Sequence, residues 1–312
     1  MQFGIREICD VVFKAKNSGY LNKSKKLYPY VAGQPVLYID SAKTSTMEGA
    51  ATTVYAQGGR GNSRLLTWEG EKTLTFTVED ALLSEIGFAI LSGAQLINAG
   101  DKYGPTGSET THKVQVHVTA QAEVGVNGEI DLTDSLGSDE TINHKAPIFV
   151  MSMSQGSIGK KISVNQVSVG ATSLTVTGDD AKAGDIVFVD FYVEKSKGVT
   201  EMTIDAENFA GYYYVEASTL FKRQSDGKDL PAELIFPNVK IQSNFTFSMA
   251  ATGDPSTFTF TMDAMPGYTR FDKSKKVLCA MNIINDSVAS GTNTDKDSAG
   301  NTADAEETYP LA

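Results

Sequence analysis

Apolar and polar residues alternate with a period of two along much of this chain, the pattern of strands that bury one face. In Thr73-Leu-Thr-Phe-Thr-Val78, Leu74, Phe76 and Val78 share one side and three threonines the other. Lys113-Val-Gln-Val-His-Val-Thr119 repeats the device with Val114, Val116 and Val118. Asn244-Phe-Thr-Phe-Ser-Met249 and Ser256 to Met262 do so again, and Gly253 and Pro255 between them predict a hairpin. The Thr-rich faces favour strand and leave a side open to water or to another subunit.

Helical periodicity is scarce. Leu82, Leu83, Ile86 and Ile90 fall at helical spacing between Asp80, a candidate cap, and Gly93, a candidate stop. This predicts one helix packed over a sheet, with Gly87 weakening it slightly. Ile5, Ile8, Cys9, Val12 and Phe13 also fit an i, i+3, i+4 pattern and predict a second short helix. From Glu140 to Lys197 the texture changes to short strand signals at 148–151, 162–169, 173–177 and 186–193, separated by turns such as Thr177-Gly-Asp-Asp180 and Ala183-Gly-Asp185. The expected organisation is a mainly β core over 1–140 and 198–286, an inserted small β module over 141–197, and an acidic, flexible tail over 287–312.

A chain of 312 residues has room for such an arrangement, at roughly 150 residues per domain. No apolar run reaches the ~20 residues a membrane-crossing helix needs. Arg6, Glu7, Asp10 and Lys14 interrupt the N-terminal apolar positions, so no secretory signal is expected and folding in a cytoplasm is. Cys9 and Cys279, among apolar neighbours near opposite ends, read as buried free thiols, with a long-range disulfide as the alternative. The net charge of -11 argues against a protein that grips phosphate backbones, because that affinity comes from clustered Lys and Arg.

Candidate chemistry is thin. His112, His117 and His144 lack the spacing of a helical metal pair, and His117 lies on a polar strand face. Neither cysteine has a histidine near it in sequence, and there is no Gly-x-Ser-x-Gly turn, so nothing points to an enzyme. Gly58-Gly-Arg-Gly-Asn62 lacks the Lys-Ser/Thr of a phosphate loop and reads as a turn between strands needing positive φ angles. Asp295, Asp297 and Glu306 nearly spell a calcium loop, but Ala299 stands where an oxygen ligand is wanted and no helices flank it. That metal candidate is weak, and no cofactor is expected. Asn244-Phe-Thr246 matches a glycosylation acceptor by chance, on a strand position.

The run Val54-Tyr-Ala-Gln-Gly-Gly-Arg-Gly-Asn-Ser-Arg-Leu-Leu-Thr-Trp-Glu-Gly-Glu-Lys-Thr-Leu-Thr-Phe-Thr-Val-Glu-Asp-Ala-Leu-Leu83 resembles the core of phage tail tube proteins, in which a Gly-rich loop leads into a charged turn and a Thr-rich strand. Phe209 to Arg223 is similar to that family's aromatic strand, Asp226-Gly-Lys-Asp229 to the polar turn after it, and Leu234 to Ile241 and Ala250 to Phe260 to the closing strands. Together these pieces cover about half the chain, in order.

The resemblance, of the contractile-tailed (myovirus) type, implies a β-sandwich or half-barrel that joins five neighbours in a hexameric ring, with rings stacked into a tube. It implies the chain itself, tail sheath, baseplate and terminator proteins as partners, and a virion-tail location after assembly in the host cytoplasm. Double-stranded DNA would pass without specific binding, since an excess of acid repels it. Arg60, Asn62, Arg64, Trp68, Asp226 and Lys228 become subunit-interface candidates, and the N-terminal region and the Arg60 loop candidate ring-to-ring contacts. The 141–197 insert departs from a minimal tube subunit. Alternatives are a capsid decoration or tail terminator protein, or a carbohydrate- or cell-surface-binding β module. A binding module would cluster exposed aromatics, whereas strand geometry sends Tyr213 away from Tyr212 and Tyr214.

Overall fold

The computed structural model describes residues 2–137, 140–165, 167–246 and 257–284. Its strands in chain order are β1 (Phe3–Ile5), β2 (Asp10–Ala15), β3 (Gly19–Asn22), β4 (Leu27–Tyr30), β5 (Pro35–Ile39), β6 (Ala42–Gly58) and β7 (Ser63–Asp80). After the helix α1 (Glu85–Ser92) come β8 (Gln95–Asn98), β9 (Lys102–Tyr103), β10 (Thr110–Thr111), β11 (Val114–Glu123), β12 (Glu129–Asp131), β13 (Phe149–Ser154), β14 (Ser157–Ile162), β15 (Ser173–Thr175) and β16 (Ile186–Lys195). The described residues end with β17 (Thr200–Thr203), β18 (Tyr212–Arg223), β19 (Asp229–Ile241), β20 (Phe258–Ala264) and β21 (Ala280–Ile283). The protein is mainly β, as the alternation predicts.

The principal sheet runs β5-β2-β18-β19-β20-β7-β6, with β1 beside β18 and β21 beside β19. All its pairings are antiparallel, so alternate residues reach one buried face: Val11 and Phe13, Val215 and Ala217, Phe236 and Val239, Phe260 and Met262, Phe76 and Val78. Phe76 stacks on Phe236 with centroids 4.8 Å apart, and Phe13 leans on Phe260 at 5.9 Å. The sheet curls until its ends approach. Only Asp40 and Ser41 separate β5 from β6, and the Cys9 N–H donates to Ser45 Oγ across the seam at 3.1 Å. No ladder joins β5 to β6 among the described residues, so the barrel stays open.

The helix α1 fills the concave side, with Ile90 and Leu91 in the same core. Its cap is Ser84, whose Oγ accepts the Gly87 N–H at 2.9 Å, not Asp80. Asp80 instead ends β7, paired with Ala42 and Phe258, and its carboxylate accepts the Ser41 hydroxyl at 2.5 Å. Gly93 ends the helix with φ 75°. Gly87 has a packing reason: a Cβ there would meet Leu37 and Phe260 of the sheet and the capping hydroxyl. The expected N-terminal helix is absent, and β1 and β2 take its place. Val11, Phe13 and Ala15 satisfy a period of two as well as they satisfy a helix, and ladders to β18 and β5 decide between them. The expected hairpin turn lies in 247–256, outside the described residues; β20 pairs with β7 and with Val239–Ile241.

A second core gathers Ala120, Val124, Ile130, Leu132, Ile142, Val150, Ile162, Leu174, Val187, Val189, Phe191 and Val193. Its sheet runs β11-β16-β13-β14, with the ribbon β12-β15 beside it. The expected insert, 141–197, supplies β13 to β16, and β11 pairs with β16 from Val114–Lys195 to Glu123–Ile186. The second core therefore draws on residues well before 141. Two chain crossings connect it to the first, each leaving the short ribbon β8-β17.

Candidate assembly interface

The feature that stands out from this frame is a long arm. β6 and β7 pair from Ala42 opposite Asp80 to Gly58 opposite Ser63, but only the base is buried. Every residue from Thr46 to Val54 and from Gly59 to Thr73 is exposed. The tip turns through Gly59 (φ 81°), Gly61 (φ 91°) and Asn62 (φ 49°), the positive angles expected of this glycine run. The arm is also two-sided. Val54 stands opposite Trp68 and Ala56 opposite Leu66 on one face, with Val54, Leu66 and Trp68 each more than half exposed. On the other face the Arg64 guanidinium lies 4.0 Å over the Tyr55 ring and the Thr53 hydroxyl meets Tyr55 Oη at 3.2 Å.

Such a ribbon is poorly self-sufficient in water. A lone two-stranded hairpin is marginally stable, and among the described residues no strand pairs with the outer edge of β6, whose backbone groups could template another chain. Cross-strand pairs such as Val54–Trp68 stabilise it by roughly 0.2–1 kcal/mol each, and covering their apolar face would add more.

The interface candidates read from sequence fall in two places. Arg60, Asn62, Arg64 and Trp68 lie on the arm, and Asp226 and Lys228 on the β18–β19 turn. That turn is tightly built: Gly227 takes φ 66°, and Asp226 accepts from Arg223 Nε at 2.9 Å and from the Lys228 N–H at 3.2 Å. The Lys228 N–H, followed by the Arg223 charge, holds the Asp226 carboxyl below the usual carboxylate range. Val54 and Leu66 extend this set, and their i, i+2 spacing to Ala56 and Trp68 is the mark they leave in the sequence.

The convex face of the principal sheet is polar and acidic. Asp10, Glu48, Glu79, Glu216, Asp229, Glu233 and Asp263 alternate with the core positions, against Lys14, Lys222 and Lys240. Lys14 pairs with Glu216. Glu79 accepts the Thr257 and Thr44 hydroxyls, which hold its pKa down. Part of this face is strapped by the segment after β20, where Arg270 donates to the Gly33 carbonyl at 3.0 Å and lies 5.2 Å over Tyr214. Tyr213 turns into the core while Tyr212 stays exposed, so the three tyrosines form no single aromatic platform.

Among the described residues no His, Cys, Asp and Glu side chains converge as a metal site. Asp295, Asp297 and Glu306 lie outside the described residues, as does the tail from 287. Cys9 and Cys279 are free thiols, both raised by burial, Cys279 to about 11. His117 bonds Asp190 at 3.0 Å on the surface of the second core. No helix among the described residues is long and apolar enough to cross a membrane. The YomU/Tube protein family matches residues 24–277, through both cores. No curated protein matches the chain.

Proposed function

The chain belongs to the YomU/Tube protein family and is a phage tail tube structural protein, and from that premise we propose that it polymerises into hexameric rings stacked as the inner tube of a contractile tail. It acts by assembly and not by catalysis. The observation that carries this reading is the arm: an exposed hairpin with an apolar face and an open edge suits a polymer and is a hazard to a monomer. Arg60, Asn62, Arg64 and Trp68 on that arm, with Asp226 and Lys228 on the β18–β19 turn, form the subunit contacts. The acidic convex face lines the conduit, so that DNA passes by like-charge repulsion without releasing counterions.

We read residues 114–195, in place of 141–197, as the inserted module, carried on the tube surface toward the sheath. The sheath, baseplate and terminator proteins are its other partners, and assembly takes place in the host cytoplasm. Negative-stain electron microscopy of the concentrated protein tests the reading. Hollow tubes or stacked rings are expected. Monomers that persist at high concentration would turn the assignment toward a decoration or surface-binding protein.

A further inference from the structure

The two ends of the principal sheet carry different charge. At the Tyr212 end of β18, β2 finishes with Ala15 opposite Tyr213, and the β3–β4 hairpin follows. Residues 14–26 hold five lysines and no acid, in a chain whose net charge is -11. The hairpin turn is held in shape: Gln95 Oε1 accepts the Lys23 N–H at 2.7 Å, Asn22 Oδ1 accepts the Lys25 N–H at 2.9 Å, and Asn22 Nδ2 donates to the Leu96 carbonyl at 2.9 Å. Beside it opens a cleft of about 440 Å³ lined by Ser24, Lys25, Lys26, Leu27, Lys102 and Tyr103, with no acid in its wall. Asp101, the neighbour of Lys102, has its carboxylate on the Tyr28 hydroxyl and the Asn98 N–H. Lys25 is engaged by His112 and the Tyr103 ring. Lys26 and Lys102 are exposed, and among the described residues neither makes an ion pair.

The chain leaves the sheet toward its other end. β21 pairs with β19 from Ala280 opposite Ile235 to Ile283 opposite Ala232, and the Ile284 N–H donates at 2.9 Å to the carbonyl of Pro231, the partner of Leu220. From Tyr212 to Leu220 is about 27 Å of strand at ~3.4 Å per residue. Residues 285–312, outside the described residues, hold six acids and one lysine. A segment of that length spans up to about 90 Å when extended. The direct way back to its own hairpin runs along the convex face, where Asp10, Glu216 and Glu233 repel an acidic segment. A second copy placed end to end offers the lysine cleft without that crossing.

We propose that the acidic segment 286–312 of one copy docks on the lysine cleft of the next, so that copies join head to tail along the strand direction. Asp304, Glu306 and Glu307 supply the anions that Lys26 and Lys102 lack within their own chain. A contact between two different patches of the same molecule is heterologous and repeats without closing, which is what stacking requires. The proposal rests on the chain being an assembling subunit but not on the number of copies in a ring.

The test is carbodiimide cross-linking, which joins a lysine amine to a carboxylate in contact with it, on the concentrated full chain mixed equally from ¹⁴N and ¹⁵N preparations. Mass spectrometry should find peptides of Lys26 or Lys102 joined to peptides of 297–312, with mixed labels as common as matched ones. Cross-links confined to matched labels would mean that the segment folds onto its own hairpin, and they overturn the proposal, as does the absence of these cross-links. Lys26→Glu with Lys102→Glu should raise the concentration at which assembly begins about tenfold, the order expected of two exposed ion pairs. Both side chains are exposed, so the fold should hold. Adding Asp304→Lys, Glu306→Lys and Glu307→Lys to the same chain should restore assembly, and a lysine-reversed variant that assembles like wild type also overturns the contact. The two readings fail separately: tubes without the cross-links remove this contact and keep the tube, whereas mixed-label cross-links without tubes keep the contact and remove the tube.

Discussion

Phe76 shows how much one position carries. It is buried at the base of the arm, stacks on Phe236 and sits one strand from Met262. Phe76→Ala should destabilise the core by about 3–5 kcal/mol, the cost of the lost transfer energy and of the cavity left in a close-packed interior. Phe76→Asp should prevent folding, because an unpaired carboxylate in that core has no donor to meet it. Denaturant melts followed by circular dichroism check both. A soluble, cooperative Phe76→Asp variant would show that this strand does not face inward. That position was readable in the sequence because its strand keeps strict alternation over six residues. Asp80 was not: a terminal acid before an apolar run looks like a helix cap, and only the partners Ala42 and Phe258 show that the strand continues through it.

Elements are legible in proportion to the asymmetry of their burial. β16, β18 and β20 bury one face, and their alternation shows in the letters. β2 carries apolar residues that suit two periods, so its form waits on neighbours far away in sequence. The outer parts of β6 and β7 bury neither face within the chain, so the short alternation of Val54 with Ala56 and of Leu66 with Trp68 does not show how far the ribbon extends. The pairing of β11 was hidden for another reason: Val114 to Val118 announce a strand with an apolar face but not that its partner is β16. Residues 112–197, excised, should fold alone on that second core. Its ion pairs give the fragment an acid-sensitive stability. Hydrogen bonds from Lys195 to Glu140 and from Lys113 to Glu194 lead the causes that hold those carboxyls below their ordinary pKa. A carboxyl depressed on folding stabilises the fold above its unfolded pKa, and that contribution is lost as pH falls through the folded value. Thermal melts of the fragment should thus be flat near neutrality and fall below about pH 4.5. A melting temperature unchanged down to about pH 3 would show that these pairs contribute nothing.

For the whole molecule the decisive question is whether the arm serves the fold or the assembly. If it served the fold, its apolar residues would be covered within the chain; instead Val54, Leu66 and Trp68 face solvent, and the first core ends near Leu74. Replacing 50–73 by an Asn-Gly turn keeps the Gly49–Leu74 pair as the last rung and leaves Phe76 and Val78 in place. Removing a ribbon that buries so little should change the melting temperature by no more than a few degrees while abolishing tubes. The single tryptophan gives a second readout, since Trp68 emission in the full chain should shift to the blue as assembly covers it. If the shortened protein still forms tubes, the contacts lie elsewhere, and the open seam between β5 and β6 becomes the surface to mutate. If it fails to fold, the arm is part of the domain, and its exposed apolar face needs a different explanation from polymerisation.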